Sequence, residues 1–256
     1  MVKKCLQGKT ALVTGGTRNL GLGMAMRLAA SGAIVAVNYA SNAAAAAEAI
    51  DAISAEGGQA FAIKAKLGEP GANEALIEAL DAELTRRTGS GRLDILVNNI
   101  GGGGYGTIAT TTAEEYDWIF ANNVRSPFFL TQALLTRLND GGRVINISSA
   151  ASRLAGKDFI AYSMSKAAVD MFTRVLAKEL GPRRINVNSV QPGFNVTDAN
   201  ADLLKNAELR KQIEAQTLFG RFGEPRDIAE VVHFLASPAG AWVTGQTIEA
   251  SGGFSF

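Results

Sequence analysis

The sequence predicts an α/β domain in which one parallel β-sheet of about seven strands is wound with helices on both faces. Short runs of β-branched and other apolar residues alternate with longer helix-patterned segments almost from end to end. Repeated strand–helix units require right-handed crossovers, and these give a parallel sheet covered on both sides. Composition agrees: of 256 residues, 47% are hydrophobic and only 19% charged, enough apolar surface for a core on each face. A glycine-rich turn, Thr14 to Gly21, joins the first strand to the first helix.

Thr10–Thr14 is a buried strand by its apolar run, and Leu20–Ser31 the helix after it. Ala33–Asn38 is the second strand, followed by an alanine-rich helix over Asn42–Glu56, good helix former throughout. Ala60–Lys66 gives the third strand, Ala72–Arg87 the next helix, and Leu93–Asn98 the fourth strand. Helices over Ala113–Ala121 and Asn123–Leu138 lead to a strand at Arg143–Ser148. A helix runs from near Tyr162 to Leu180, before a strand at Ile185–Val190. A polar stretch, Asn195–Gln216, interrupts the rhythm; helix Pro225–Ala236 and strand Gln246–Ala250 close it. Neither a linker nor a repeat is visible, so residues 1–256 are expected to form one domain with a substrate loop region near 194–217. This is the pattern of a Rossmann fold, whose ligands sit beyond the carboxyl ends of the strands.

The formal net charge of +1 calls for neither nucleic acid nor an anionic membrane. The Lys3–Lys4 and Arg183–Arg184 pairs are too short to be basic tracts and are expected on solvated surface. The single cysteine, Cys5, excludes an internal disulfide and fits a reducing compartment. No run approaches the roughly 18 apolar residues of a membrane span, and the N-terminus lacks a signal peptide's apolar core; the expectation is a cytoplasmic protein. His233 is the only histidine and has no acid or cysteine beside it in sequence, so no metal is expected. Asp94 is expected to serve packing, and Trp118 and Trp242 the core or an interface.

Chemistry gathers in the second half. Tyr162 and Lys166 stand four residues apart, with Ser149 upstream. On a helix, such a pair lies on one face about 6 Å apart. An ammonium there favours phenolate, so the tyrosine pKa is expected to fall from about 10 toward the range of a general acid. The spacing alone occurs in many helices; its surroundings give it weight. In the turn after the first strand, backbone N–H groups backed by a helix N-terminus suit a pyrophosphate.

That turn, Thr14-Gly-Gly-Thr-Arg-Asn-Leu-Gly21, resembles the Thr-Gly-x-x-x-Gly-x-Gly fingerprint of the short-chain dehydrogenase/reductase family, with Asn19 in place of the middle glycine. Asparagine tolerates a left-handed backbone, so the turn should survive with its side chain pointing away from the cofactor. Asn98-Asn-Ile-Gly101, Pro192-Gly193 followed by Thr197, Gly220-Arg-Phe-Gly-Glu-Pro225, Val243-Thr-Gly245 and Gly252-Gly253 resemble further family motifs in order.

The resemblance implies Tyr162 as proton donor to a ketone oxygen and Lys166 as the cation that lowers its pKa and bonds the nicotinamide ribose. Ser149 would orient the substrate, with Ser148 as the alternative. Asn123 would hold a water that relays protons to the lysine, with Asn122 one residue away; Arg125 has no assigned role. The cofactor would meet Gly15, Thr17, Arg18, Asn19, Leu20 and Gly21 in the turn, then Tyr39, Ser41, Asn42 and Leu67 toward the adenosine. Asn98, Gly101, Tyr162, Lys166, Pro192, Gly193, Asn195 and Thr197 would meet it toward the nicotinamide. No acid stands at Tyr39 and Arg18 lies in the turn, so NADP(H) is expected rather than NAD(H). Lys66, where the family usually carries Asp, cannot accept from adenine, so altered adenine contacts are expected.

The expected activity is hydride transfer between NADP(H) and a ketone or secondary alcohol, most similar to 3-oxoacyl-carrier-protein reductases and ketoreductases of secondary metabolism. The alternatives are a non-catalytic dinucleotide-binding sensor or scaffold, or a dehydratase or epimerase on the same fold. Specificity should lie in Gly102–Ile108, Ala150–Ile160 and Phe194–Gln216, and Gly101–Gly104 form either a mobile loop near the cofactor or surface slack. Phe159, Phe194 and Phe219 line an apolar pocket or belong to the core; the sequence leaves both open. The resemblance also implies a homotetramer, and a small-molecule substrate that is free or carrier-bound.

Overall fold

Seven strands form one parallel sheet in the order β3-β2-β1-β4-β5-β6-β7: β1 (Thr10–Val13), β2 (Ile34–Tyr39), β3 (Gln59–Lys64), β4 (Leu93–Asn98), β5 (Leu138–Ile147), β6 (Asn186–Pro192) and β7 (Thr247–Ala250). The computed structural model describes residues 4–154 and 156–254, so Lys3 of the first basic pair and Ala155 of the middle substrate loop lie outside it. The strand order reverses direction between β1 and β4. The crevice beyond their carboxyl ends is therefore the expected ligand site of a doubly wound sheet.

Alternate residues of the strands point to opposite faces, and each face carries its own core. Val13, Val35 and Ile95 pack with α1 (Asn19–Ala30), α2 (Ala43–Ala55) and α9 (Pro225–Ala236) through Met24, Leu28, Ile53, Ile228 and Val232. Leu12, Phe61 and Leu96 pack on the other side with α3 (Ala72–Thr88), α5 (Ser126–Leu134) and α6 (Ile160–Leu180) through Leu76, Leu80, Leu130 and Leu176. α9 starts where the sequence places it because Pro225 takes the first helical position and Glu224 and Asp227 form a reciprocal cap.

Two expectations need correction. The helix expected over Asn123–Leu138 is part of a longer one. α4 (Ala113–Phe120), entered by a Thr112–Glu115 capping box, passes through a π-helical turn at Ala121–Arg125 into α5, which ends at Leu134. Leu138 is instead the first residue of β5, fully buried and in register with Leu93. Arg92 donates to the carbonyls of Thr136 and Leu138, and Arg183 to those of Leu135 and Leu138, which satisfies the turn after the helix. Arg183 is thus a structural tie and not a solvated charge; Arg184 next to it is exposed.

Within 194–217 the chain makes a single turn at Asp198–Asn200, then α7 (Ala201–Lys205) and α8 (Ala207–Ala215), neither of which buries a residue. Asp94 does serve packing: it accepts from Lys9 Nζ, the Thr10 amide and Asn139 Nδ2, joining the starts of β1, β4 and β5.

Candidate active site

At the carboxyl end of β5 the chain runs through Ser148 and Ser149, and α6 brings Tyr162 and Lys166 alongside on one face. Ser149 caps the following turn by accepting from the Ala151 amide, and its hydroxyl shares a hydrogen bond with Tyr162. Ser148 is buried and spends its hydroxyl on the Lys166 carbonyl, so of the two serines only Ser149 meets the phenol. Lys166 is buried; its Nζ donates to Ile147 O at 2.9 Å and lies 5.7 Å from the centre of the Tyr162 ring.

The electrostatics differ from the expectation. Burial raises the Tyr162 phenol above its ordinary value and outweighs the hydrogen bond from Ser149. The Lys166 ammonium, bonded to the Ile147 main-chain carbonyl, does not outweigh that burial. Burial draws Lys166 down to about 8, opposed by the charge of Asp170. At neutral pH Tyr162 is therefore a neutral phenol, the form that gives up a proton, beside a mostly charged ammonium.

The π turn carries Asn123 inward. Its amide donates to Gly102 O at 2.9 Å and Ser165 Oγ at 2.8 Å, and its carbonyl accepts from the Gly102 amide. π turns recur at functional sites. Asn122, one residue earlier, is half-buried and bonds Trp118 O, which separates the two asparagines. The 101–104 glycines are not slack: a Cβ on Gly103 would stand 3.0 Å from the Tyr162 ring, and Trp118 packs over Gly102. Arg125, unassigned from sequence, lies over the Phe129 ring at 5.4 Å.

The crevice at the β1/β4 switch fits a dinucleotide phosphate. α1 begins without a side-chain cap and with no acid in its first turn, so its N-terminal dipole is open to an anion. Asn19 adopts φ 50°, the left-handed backbone expected of it. A Cβ on Gly21 would sit 2.1 Å from Gly15 O, so the turn closes only around glycine. Asn99 locks the same turn: its amide donates to Thr14 O and Gly15 O, while Thr14 Oγ1 accepts from the amides of Asn99 and Ile100. Thr14 and Asn99 stand in motifs quoted from the sequence but were given no role there. Beside Asn99, the side chain of Asn98 turns into the sheet to donate to Thr131 Oγ1 and Asn146 Oδ1. The Asn98 side-chain amide thus ties β4 to α5 and β5.

At the adenosine end Tyr39 is half-buried at the tip of β2, Ser41 is exposed, and Leu67 is buried. Asn42 spends its side-chain oxygen capping α2 at Ala45 N, leaving only its amide as a donor. Lys66 pairs with Glu69. Arg18 reaches Asp198 at 3.5 Å, and Asn19 bonds the same carboxylate at 3.0 Å while accepting from the Asp198 amide. Asp198, unforeseen from sequence, ties the loop after β6 to the glycine turn.

At the nicotinamide end Pro192 closes β6, Gly193 abuts Ser251, and Thr197 precedes the Asp198 turn. Asn195 donates back to Gly193 O and buries a carbonyl oxygen that has no partner among the described residues. Of the phenylalanines, Phe194 packs edge-on with Phe222 and Phe254, Phe159 lies against Tyr105 at 4.9 Å, and Phe219 is exposed. Trp118 and Trp242 are both exposed, Trp242 at 99%, which leaves neither in the core. His233 meets Cys5 Sγ at 3.4 Å, far along the chain. Among the described residues no group of histidine, cysteine and acidic side chains has a metal-binding arrangement, and no helix is long and apolar enough to cross a membrane.

Residues 15–255 match the family model described as Enoyl-(Acyl carrier protein) reductase. The chain belongs to the short-chain dehydrogenase/reductase family. Among relatives of this short-chain dehydrogenase/reductase, a probable tetrahydroxynaphthalene reductase of Zymoseptoria tritici is 37% identical over 258 residues, covering 96% of this chain and 94% of that one. The angucycline C-6 ketoreductase LanV, solved with bound NADP, superposes with a TM-score of 0.94 at 45% identity, covering 98% of this chain and 97% of LanV. A second LanV structure holds NADP and rabelomycin, with a TM-score of 0.90 at 44% identity and 98% of each chain covered. LugOII, described as a promiscuous reductase catalysing keto-reduction at C1 during lugdunomycin biosynthesis, gives a TM-score of 0.94 at 44% identity, covering 98% of this chain and 100% of its own.

Proposed function

We propose that this short-chain dehydrogenase/reductase is an NADP(H)-dependent ketoreductase acting on a ketone of a fused-ring, polyketide-type skeleton. The observation that carries the reading is the neutral Tyr162 phenol hydrogen-bonded to Ser149 beside the buried Lys166. Bound NADPH supplies the hydride; the protein supplies the proton and the geometry. Ser149 donates to the carbonyl oxygen and orients it, and Tyr162 gives its phenolic proton to that oxygen as the alcohol forms. Lys166 stabilises the phenolate left behind and holds the ribose, while Asn123 fixes Gly102 against α6. The glycine turn and the open N-terminus of α1 take the pyrophosphate, and Arg18 takes the 2′-phosphate.

Ring recognition is supported by an open pocket lined by Tyr105, Gly106, Thr107, Thr110, Asp158 and Phe159, with the two rings in contact, and by the relative named for reducing tetrahydroxynaphthalene. The same reading puts the protein in the cytoplasm as a homotetramer, in which copies cover Phe128, Phe129, Met171 and Val175, apolar side chains exposed on α5 and α6.

The test is a panel of fused-ring aromatic ketones and a 3-oxoacyl thioester, assayed with NADPH and NADH. NADPH oxidation is expected only when a ketone is supplied, fastest with fused rings, and Tyr162→Phe should lower turnover at least about 100-fold with cofactor binding kept. NADPH binding without turnover of any ketone would move a sensor role ahead, and preference for the thioester would replace the substrate class.

A further inference from the structure

Asp170 lies one turn beyond Lys166 on α6, is buried, and takes no part in the chemistry above. Its Oδ1 accepts from Ser189 Oγ at 2.9 Å and its Oδ2 from Gln191 Nε2 at 2.8 Å, both on β6. The Gln191 amide also donates to Ser152 Oγ, in the turn that Ser149 caps. One carboxylate thus joins the helix bearing Tyr162 and Lys166, the strand that runs into Pro192-Gly193, and the turn that starts at Ser149. Anchoring alone does not require a charge there: an amide carbonyl accepts from Gln191 just as well, and a hydroxyl reverses its bond at little cost. A buried carboxylate bonded only to neutral donors carries a desolvation penalty. The opposite charge that offsets it stands one turn away.

We propose that Asp170 is a positioning residue whose buried carboxylate, one turn further along α6, holds the Lys166 ammonium in its charged form. The consequence for turnover rests on the role given to Lys166 above. The groups that face the ammonium from other elements are uncharged: the Ile147 carbonyl at the end of β5, Gly101 after β4, and Asn123 in the π turn, with the Tyr162 phenol the other titratable neighbour on α6. On the far side of Asp170, Glu249 stands in register with Gln191 and pairs with Arg153 at 3.0 Å, two charges that cancel. Burial already draws Lys166 down to about 8 with Asp170 opposing it. Without that anion, burial acts unopposed and the lysine moves further down.

The test is Asp170→Asn, which keeps the anchor to Gln191 and removes the charge; Asp170→Ser serves if the amide variant does not fold. The titration of Lys166 is followed directly by the carbon resonance of its labelled Cε, assigned by its absence in Lys166→Arg, and kcat/KM for ketone reduction is measured over the same pH range. The Lys166 midpoint is expected to move to lower pH by about one unit, a roughly tenfold loss of charged lysine above the midpoint. The alkaline limb of kcat/KM should move with it, and Asp170→Glu should restore both. An unmoved Lys166 midpoint, with only a lower melting temperature, would reduce Asp170 to an anchor and overturn the proposal. A midpoint that moves while the rate profile does not would count against the catalytic reading of Lys166 and leave the hold of Asp170 on its charge standing.

Discussion

Arg18 stands in the turn where a 2′-phosphate would meet it, and its guanidinium meanwhile reaches Asp198, both side chains largely in solvent. An exposed pair of this kind contributes about 0–1 kcal/mol, whereas a charge-assisted bond to phosphate contributes about 1.5–3 kcal/mol. The phosphate is therefore expected to displace the Asp198 contact, and the expected net preference for NADPH over NADH is about tenfold. Arg18→Ala should remove most of it by weakening NADPH while sparing NADH, read as kcat/KM with each cofactor; equal losses with both would make Arg18 a support of the turn alone. The grouping of Ser149, Tyr162 and Lys166 was legible because they lie close together in the sequence. Asp198 was not, since its partners Arg18 and Asn19 lie on the far side of the chain. Asp170 was hidden for the same reason: as a mid-helix acid it reads as solvent-facing until β6 is laid beside it. Nor does spacing reveal burial, which decides the direction of the Tyr162 shift.

The glycine turn, the π turn and the strand ends do different work from the helices that frame them. Gly21→Ala would press a methyl into Gly15 O and the Asn99 amide, opening the turn where the pyrophosphate binds. NADPH affinity should fall at least about tenfold, by roughly 1.4 kcal/mol or more, while the melting temperature changes far less, because Gly21 lies at the edge of the core; calorimetry of binding and of unfolding checks both. Strands and helices were legible wherever apolar period and flanking glycine or proline agree, as at β4 and α9. The stretch from Ala113 to Leu138 was not. A π turn keeps helical periodicity while admitting one extra residue, and the glycine pair Gly141-Gly142 marks an irregularity inside β5 instead of the turn before it, which lies at Leu135–Arg137.

Across the sheet, Asp94 joins the amino ends of three strands. Burial acts to raise its carboxyl and is outweighed by the Thr10 amide, Lys9 and Asn139, which hold it below the ordinary carboxylate range. A depressed folded-state value means that this stabilisation is present above the unfolded pKa of about 3.9 and is lost as pH falls through the folded one. Asp94→Ala should cost about 2–3 kcal/mol near neutral pH and flatten the acid side of the stability curve, measured by urea unfolding between pH 3 and 7. The segment beyond the carboxyl end of β6 is attached differently. α7 and α8 bury nothing, so selection can rewrite this stretch without taxing the scaffold, and such freedom lets one ancestral frame radiate into many specificities. Exchanging residues 199–216 for the matching segment of LanV should shift the ranking of ketones, scored by kcat/KM, while the melting temperature stays within a few degrees. A collapse in stability would show that the segment belongs to the chassis and not to its interchangeable part.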